Sequence, residues 1–330
     1  MKALVYTAPE KLDYRDVPDP EARAEEVVVK VEAVGICGSD MHAYLGHDER
    51  RPPQLILGHE AAGTVKTGAM AGKRVTINPL VTCGRCAACL KGRENLCPDR
   101  QIISMAPRPG AFAEYVSIPP ANLVEIPDGV SAEQACLAEP IACGWHAARV
   151  ALRHDADAVR TGSCLVIGGG AIGLGAALSL RAAGAERVTV AETNPRRHDA
   201  IRSAGPFEIF DAAAQPSSAA FDVIVDGVGF QATRALATRA ARAGGIIVHI
   251  GLGSAEGGLD IRRMTLQEIT FVGTYTYTKE DFRQTAAAIF DGRLGALDWP
   301  QMRPLAAGAQ AFADILAGDA PAPKIILIPG

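Results

Sequence analysis

A glycine-rich turn constrains the fold of this chain more than any other segment. The run GGGAIG at positions 168–173 follows an apolar strand candidate at 164–167 and opens an alanine-rich helix. Gly168 can make the tight turn, Gly170 lets the backbone approach a pyrophosphate at the helix N-terminus, and Gly173 allows close helix–strand packing. The segment predicts the first βα unit of a dinucleotide-binding sheet. The alternative, a glycine turn that binds no nucleotide, fits the surrounding pattern poorly.

From Ser163 to Gly273, predicted strands alternate with helical patterns. The predicted strands cover 164–167, 187–191, 207–210, 221–225, 245–250 and 269–272. Alternating βα units give a parallel sheet with helices on both faces, and six strands complete a dinucleotide-binding sheet.

The first part of the chain has a different pattern of predicted secondary structure. Residues 1 to about 139 read as short strands broken by Gly and Pro, for example 27–31, 74–77 and 113–118. The SAEQ segment at 131–134 predicts a capping box, and we expect the helix after it to break near Pro140. Two more helices are predicted, at about 279–290 and 311–316.

The last strand, at 324–328, needs sheet partners, and a return to the N-terminal β region would supply them. We therefore predict a β-rich domain made of residues 1–139 and 277–330, with an α/β nucleotide-binding domain at 140–276.

An acidic residue decides the expected cofactor. Glu192 follows the second strand, about 20 residues after the glycine turn, where a carboxylate would bind a ribose diol and repel a 2'-phosphate. NAD is therefore preferred, with NADP possible, because Arg197 lies close by and could pair with a phosphate. The predicted cofactor contacts are Gly168, Gly170, Ala171, Ile172, Gly173, Glu192, Arg197, Gly227, Gly251, Leu252 and Thr274.

Four of the eight cysteines are clustered. Cys83, Cys86, Cys89 and Cys97 offer four thiolates within a short loop, a set that suits tetrahedral zinc in a structural role, because no position stays open for substrate. An iron–sulfur cluster or free thiols are the alternatives.

A second metal site is dispersed along the chain. Cys37, His59, Glu60 and Glu139 lie in the separate segments GICGSDMH, GHE and AEP. A thiolate, an imidazole and a carboxylate can hold zinc and leave one position open. Each residue by itself is more often a packing or surface group, so the prediction depends on the combination.

Composition excludes several other classes. The formal net charge is -4, which does not favour nucleic acid or an anionic membrane as a partner. The longest apolar stretch, at 165–180, contains five glycines and is too short for a membrane span. The N-terminus lacks a signal-peptide core, so we expect a cytoplasmic protein.

Together these motifs, in this order, resemble the zinc-containing medium-chain dehydrogenases/reductases, and within them the polyol dehydrogenase branch. The resemblance implies a GroES-like catalytic domain with an inserted Rossmann domain, a cleft between them, and a homodimer or homotetramer. It also implies that Cys37, His59 and Glu60 bind the catalytic zinc and that Glu139 binds zinc directly or through water. By the same resemblance, Ser39 and His42 form a proton relay. The segments after Gly63 and between Gly205 and Ala220 are shorter than the family pattern.

The function predicted is zinc-dependent, NAD(P)-linked oxidation of a small alcohol or polyol by hydride transfer, and the reverse reaction. Two alternatives share the fold: a zinc-free enone or quinone reductase, and a noncatalytic nucleotide-binding protein. Phe112 and Tyr44 are candidates to line the substrate pocket, although Tyr44 fits an ordinary core position equally well.

Overall fold

The computed structural model describes residues 1–23, 25–211 and 220–330. Half of the shortened segment predicted from Gly205 to Ala220, residues 212–219, therefore lies outside the described residues. Two compact units are present. The first unit contains Met1–Glu139, Thr278–Asp291 and Pro300–Gly330, and the second contains Pro140–Tyr277 and Gly292–Trp299.

The described ranges contain strands and helices throughout. The strands are β1 (Lys2–Ala8), β2 (Lys11–Asp16), β3 (Val27–Gly35), β4 (Leu55–Ile56), β5 (Glu60–Val65), β6 (Arg74–Ile77), β7 (Leu80–Val81), β8 (Gln101–Ile102), β9 (Tyr115–Ile118), β10 (Leu123–Glu125), β11 (Ser163–Ile167), β12 (Arg187–Ala191), β13 (Glu208–Phe210), β14 (Phe221–Asp226), β15 (Ala241–His249), β16 (Thr270–Gly273), β17 (Gln301–Pro304) and β18 (Ile325–Ile328). The α-helices are α1 (Gly38–Tyr44), α2 (Ala87–Leu90), α3 (Ala132–Ala135), α4 (Ala138–His154), α5 (Ala156–Arg160), α6 (Ala171–Ala182), α7 (His198–Ala204), α8 (Gln231–Ala240), α9 (Ile261–Leu266), α10 (Lys279–Phe290) and α11 (Gly308–Ala317). Short 3₁₀ turns cover Glu94–Leu96, Pro120–Asn122, Pro195–Arg197 and Leu305–Ala307.

A seven-stranded sheet forms the centre of the first unit, in the order β10-β6-β5-β3-β18-β17, with β9 also paired to β3. The strand β3 alternates buried and half-buried residues along its first half, so one face packs on the core. The last strand, β18, runs antiparallel to β3 and places Ile326 opposite Gly35. This confirms that the end of the chain returns to the N-terminal β region.

The second unit contains a six-stranded sheet in the order β13-β12-β11-β14-β15-β16, and all its strand pairs are parallel. The chain order reverses between β11 and β14, which is the topology of a doubly wound dinucleotide-binding sheet. Parallel strands covered by helices read as continuous apolar runs because both faces are buried. That is why the strands of this unit were predicted correctly from the sequence.

The helices near Pro140 bear on two predictions, the capping box and the helix break. The capping box is confirmed, since Ser131 Oγ accepts from Gln134 N at 3.2 Å and Gln134 Oε1 accepts from Ser131 N at 3.2 Å. The expected break near Pro140 is also present, since α3 ends at Ala135 and α4 begins at Ala138, but it comes before the proline. Pro140 therefore lies in the first turn of α4, where a missing N–H removes no helical hydrogen bond.

Within the described ranges, no helix combines the length and the apolar character needed to cross a bilayer.

Candidate active site

Three potential metal ligands meet at the ends of two neighbouring strands. β3 ends at Gly35, and Cys37 is the N-cap of α1 that follows it; His59 and Glu60 lie where β5 begins. Antiparallel pairing puts Gly35 opposite Glu60. One donor atom each from Cys37, His59 and Glu60 lies within 4.8 Å of the others.

This donor set fits zinc. Thiolate, imidazole and carboxylate ligands bind Zn²⁺ at about 2.0–2.3 Å in tetrahedral geometry, and three protein ligands leave one position open. The chemistry and the spacing of the three donors match that requirement. The site can therefore hold one zinc ion and one exchangeable ligand.

A buried lysine holds the carboxylate of this group. Lys324 Nζ donates to Glu60 Oε1 at 2.7 Å, to Glu60 Oε2 at 2.6 Å and to the carbonyl oxygen of Ile36 at 2.7 Å. The two side chains are 3% and 1% exposed. Burial alone would lower the pKa of Lys324, but the charges of Glu60, Cys37 and Glu139 and the hydrogen bond to Glu60 together outweigh it, and the pKa is raised. Lys324 is therefore a cation that fixes the orientation of Glu60.

The space for the Glu60 carboxylate exists because residue 35 is glycine. A Cβ added to Gly35 would lie 2.0 Å from Glu60 Oε2. The carboxylate thus occupies the volume that any other side chain at position 35 would need.

Asp40 organises the loop around the metal-binding group. Its carboxylate accepts from Cys37 N at 3.0 Å and from Gly58 N at 3.2 Å, and Oδ1 lies 3.5 Å from His59 Nδ1. Burial alone would raise the pKa of Asp40, but His59 and Arg51 outweigh it, so the pKa lies below its usual range. An ionised Asp40 ties together the two backbone segments that carry Cys37 and His59.

The remaining predicted catalytic residues lie on α1 and at the start of α4. Ser39 is half-buried on α1, and His42 is exposed in the last turn of the same helix. Glu139 is buried in the first turn of α4 and, among the described residues, is not part of the group whose donor atoms lie within 4.8 Å of one another. Its charge nevertheless contributes to the raised pKa of Lys324, so it lies in the same region of the first unit.

The four clustered cysteines form a second candidate metal site. Donor atoms of Cys83, Cys86, Cys89 and Cys97 all lie within 4.8 Å of one another. The sulfur–sulfur distances from Cys83 are 4.0 Å to Cys89 and 3.5 Å to Cys97. Tetrahedral bonds of about 2.3 Å place sulfurs about 3.8 Å apart, so the spacing suits one zinc ion.

The local backbone favours a thiolate in this cluster. N–H groups of Arg85 and Cys86 lower the pKa of Cys83 to about 7. Burial raises the pKa of Cys89 to about 12. The Cys83 thiol therefore ionises readily, whereas the Cys89 thiol would become a stable thiolate only when it binds a metal ion.

In the second unit, the glycine turn after β11 packs against the backbone of the same sheet. Gly168 has φ 97°, in the left-handed region that favours glycine. A Cβ at Gly173 would lie 1.8 Å from the carbonyl oxygen of Gly168, so α6 packs as closely as the sequence predicted. Gly170 is the N-cap of α6, ahead of Ala171 and Ile172.

Glu192 lies directly after β12 and reaches back to this turn. Its Oε2 accepts from Gly169 N at 2.9 Å, and its Oε1 accepts from Asn194 N at 2.7 Å. Arg197 Nη1 lies 3.4 Å from Glu192 Oε2. A buried carboxylate beside the glycine turn is thus partly balanced by one arginine.

The other predicted cofactor residues lie at the carboxyl ends of the following strands. Gly251 packs on the backbone of Val228, since a Cβ added to Gly251 would lie only 2.1 Å from the Val228 carbonyl carbon, and Gly227 lies beside Gly173. Leu252 is 78% exposed. Thr274 follows β16, and its N–H donates to the carbonyl oxygen of His249 at 2.9 Å. All of them lie at the edge of the sheet where open α/β sheets bind ligands.

The structure places both aromatic pocket candidates in the core: the prediction for Phe112 is wrong, and Tyr44 takes the core position that was its alternative. Phe112 is fully buried and meets Phe312 edge to face at 5.9 Å, while Tyr44 is 6% exposed with its ring 5.2 Å from Phe312. Both belong to the hydrophobic core of the first unit. They support the sheet that carries the site.

Three residues near the metal-binding group were missed by sequence reasoning: Lys324, Arg51 and Ser104. Lys324 precedes the buried strand β18, and a lysine so close to an apolar run is a weak signal that it has a buried partner. No motif marks Arg51 or Ser104, although both are almost fully buried.

Comparisons with known proteins agree with this arrangement. Residues 23–128 match the alcohol dehydrogenase GroES-like domain, and residues 171–291 match the zinc-binding dehydrogenase family. L-galactonate-5-dehydrogenase of Escherichia coli is 33% identical over 90% of this chain and 89% of its own. Sorbitol dehydrogenase of Bacillus subtilis is 34% identical over 84% and 82%, respectively. The solved structure of a zinc-binding dehydrogenase from Sinorhizobium meliloti, bound to NADP, is 28% identical, covers 99% of each chain and has a TM-score of 0.88.

These relatives support the predicted alcohol oxidation and count against both alternatives, the zinc-free reductase and the noncatalytic protein. The chain therefore belongs to the zinc-containing medium-chain dehydrogenases/reductases, in the polyol dehydrogenase branch, and is an NAD(P)-linked oxidoreductase that acts on CH–OH groups.

Proposed function

We propose that Cys37, His59 and Glu60 hold the catalytic zinc, and that the substrate is a polyhydroxylated carbon chain such as a sugar alcohol or a sugar acid. The observation that carries the proposal is the meeting of these three donors within 4.8 Å of one another. When bound, zinc acts as a Lewis acid toward the substrate oxygen, and the nicotinamide accepts the hydride.

Residues of α1 handle the proton in this proposal. Ser39 Oγ accepts the proton of the substrate hydroxyl and gives its own hydroxyl proton to His42, which releases a proton to solvent. The two residues are three positions apart on one helix, so they share a face, and His42 is exposed to water. Glu139 would be a further carboxylate ligand, which binds the zinc ion directly or through water during the reaction.

Lys324 determines which carboxylate holds the metal in the resting enzyme. It keeps Glu60 in place with both oxygens bound, and each carboxylate oxygen has a second lone pair for a metal ion. We therefore assign Glu60 as the resting third ligand.

Two zinc ions per chain and a preference for NAD complete the proposal. The second zinc stabilises the loop of Cys83, Cys86, Cys89 and Cys97, as four thiolates suit a structural site. The NAD preference comes from Glu192, whose carboxylate would repel a 2'-phosphate. Arg197 reduces that repulsion, so NADP stays a usable second cofactor.

We also propose a homodimer or homotetramer. β16 is an edge strand whose described pairing is with β15 alone, and an edge strand offers unpaired backbone groups to another chain. Ile261 and Leu266 on the preceding helix are 62% and 65% exposed, which suits a covered surface. The mass of the protein in solution by light scattering tests the assembly.

A substrate panel tests the function. We expect the purified enzyme to reduce NAD with sugar alcohols and sugar acids, with kcat/KM at least about tenfold above that for ethanol. The Cys37→Ser variant should lose this activity. Failure of the zinc-loaded enzyme to oxidise any alcohol would overturn the proposal.

A further inference from the structure

Ser104 occupies a position that calls for a functional explanation. It is fully buried and has φ 74°, in the left-handed region that residues other than glycine rarely adopt. A strained conformation persists only where the surroundings impose it, and such residues gather at functional sites.

The hydroxyl of Ser104 contacts a proposed zinc ligand. Ser104 Oγ lies 3.2 Å from His59 Nδ1, whereas Asp40 Oδ1 lies 3.5 Å from the same nitrogen. The Asp40 carboxylate already accepts two backbone N–H groups. Ser104 is the nearer partner of His59 Nδ1. With the proton on Nδ1, the nitrogen donates to Ser104 Oγ, and the unprotonated Nε2 is left for the metal.

A buried arginine holds Ser104 from the other side. Arg51 is 2% exposed, and its Nε donates to the carbonyl oxygen of Ser104 at 3.0 Å. An ion pair of 2.6 Å with Asp48 anchors the guanidinium. The rigid fork of arginine can hold several acceptors in fixed directions at once.

The same guanidinium reaches the proposed proton relay. Arg51 Nη2 donates to Ser39 Oγ at 3.4 Å, and Nη1 lies 3.4 Å from the Ser39 carbonyl oxygen. One buried cation thus contacts both the residue that touches His59 and the hydroxyl assigned to accept the substrate proton.

We propose that Ser104 and Arg51 are positioning residues for the zinc site: Ser104 orients the His59 ring through Nδ1, and Arg51 holds Ser104 and the Ser39 hydroxyl together. The inference rests on the proposed role of His59 as a zinc ligand. Residues that orient a metal-bound histidine typically change metal affinity by about 10–100-fold when they are replaced.

Two substitutions at position 104 separate the hydroxyl from the backbone strain. Ser104→Gly removes the hydroxyl and relieves the left-handed φ, whereas Ser104→Ala removes the hydroxyl and keeps the strain. We expect both variants to release zinc from the Cys37 site about tenfold faster to a chromogenic chelator. Ser104→Gly should nevertheless unfold at the same temperature as the parent enzyme or higher. If Ser104 had a purely structural role, faster zinc release would instead come with a lower unfolding temperature.

Gln54→Gly is the matched control. Gln54 also has a left-handed φ, of 71°, but is exposed and makes none of the contacts described for Ser104. It should release zinc at the parent rate. Zinc at the four-cysteine site is an internal control and should be released at the same rate in every variant.

Arg51→Lys tests the coupling. Lysine keeps the positive charge but lacks the planar guanidinium that holds several acceptors at once, so zinc release should accelerate. The double variant with Ser104→Gly should release zinc no faster than the quicker of the two single variants. The visible spectrum of the cobalt-substituted enzyme should shift in the Ser104 variants and not in Gln54→Gly, because only the former change the ligand field.

The outcomes are distinguishable. The absence of zinc from the Cys37 site of the parent enzyme would overturn the proposed function itself. A parent enzyme that holds zinc there, with Ser104→Gly releasing it at the parent rate, would overturn this inference alone. Fully additive effects of Arg51→Lys and Ser104→Gly would overturn the assigned coupling.

Discussion

Replacing Gly35 with alanine should dislodge Glu60 from its lysine. The new Cβ would lie 2.0 Å from Glu60 Oε2 and 3.2 Å from its Cδ, so the carboxylate has to move. Lys324 Nζ would then keep only the Ile36 carbonyl oxygen as a partner while remaining buried. The backbone at Gly35 has no left-handed φ, so alanine itself is tolerated there and the clash is the only direct cost.

The magnitude follows from the buried ion pair. Removing one partner of such a pair costs about 3–5 kcal/mol, and a displaced carboxylate retains part of the interaction. The lower entropy of the unfolded alanine chain offsets about 0.4–1 kcal/mol. We therefore expect a loss of roughly 2–3 kcal/mol, equivalent to about 4–12 °C in the unfolding temperature of a unit of this size.

Gly38→Ala is the control, because a Cβ at that position meets no atom within 4 Å. Thermal unfolding at a fixed zinc concentration should show Gly35→Ala well below the parent enzyme and Gly38→Ala at or slightly above it. Equal unfolding temperatures for the two variants would refute the argument that Glu60 is held in that space by Lys324.

Three more predictions concern other parts of the chain. Burial would raise the pKa of Glu26, but hydrogen bonds from Ser117 and Arg108 outweigh it and keep the pKa below normal. The carboxylate therefore stabilises the fold above its unfolded pKa of about 4.3. Glu26→Gln should lower the unfolding temperature at neutral pH, and the gap should close as pH falls below about 4; a pH-independent gap would contradict this. Cys97→Ser should lose one zinc per chain and expose the cysteine loop to limited proteolysis; unchanged cleavage would argue against a metal there. Glu192→Ala should reduce the NAD-over-NADP ratio of kcat/KM by about tenfold, equivalent to about 1.4 kcal/mol; an unchanged ratio would remove Glu192 as the selector.

The sequence predicted most of the fold because its signals are local or periodic. Buried parallel strands read as apolar runs, and the bounds of α10 match the predicted 279–290 segment. The break expected near Pro140 lies just before the proline, because proline is tolerated in the first turn of a helix and here begins α4 instead of ending α3. Phe112 was misassigned because an aromatic residue in a β-rich segment looks the same whether it lines a pocket or a core.

The candidate site was predicted in part. Motifs brought Cys37, His59 and Glu60 together because each lies in a short segment that is readable along the chain, such as GHE. Lys324 is 264 positions away from Glu60, and only the pairing of β18 with β3 brings it near. Ser104 is positioned by a left-handed backbone conformation, and Arg51 acts through the hydrogen bonds of its buried guanidinium. Neither feature has a sequence pattern.

The zinc content of the purified enzyme, measured together with polyol-dependent reduction of NAD, tests the central claim most directly. We predict two zinc ions per chain in the parent enzyme, and one zinc with no activity in Cys37→Ser. Cys164→Ala is the matched control, since Cys164 is buried in β11 outside both cysteine-containing groups, and it should keep both ions and the activity. A Cys37→Ser enzyme that retains two zinc ions, or that still oxidises polyols at the parent rate, would contradict the account.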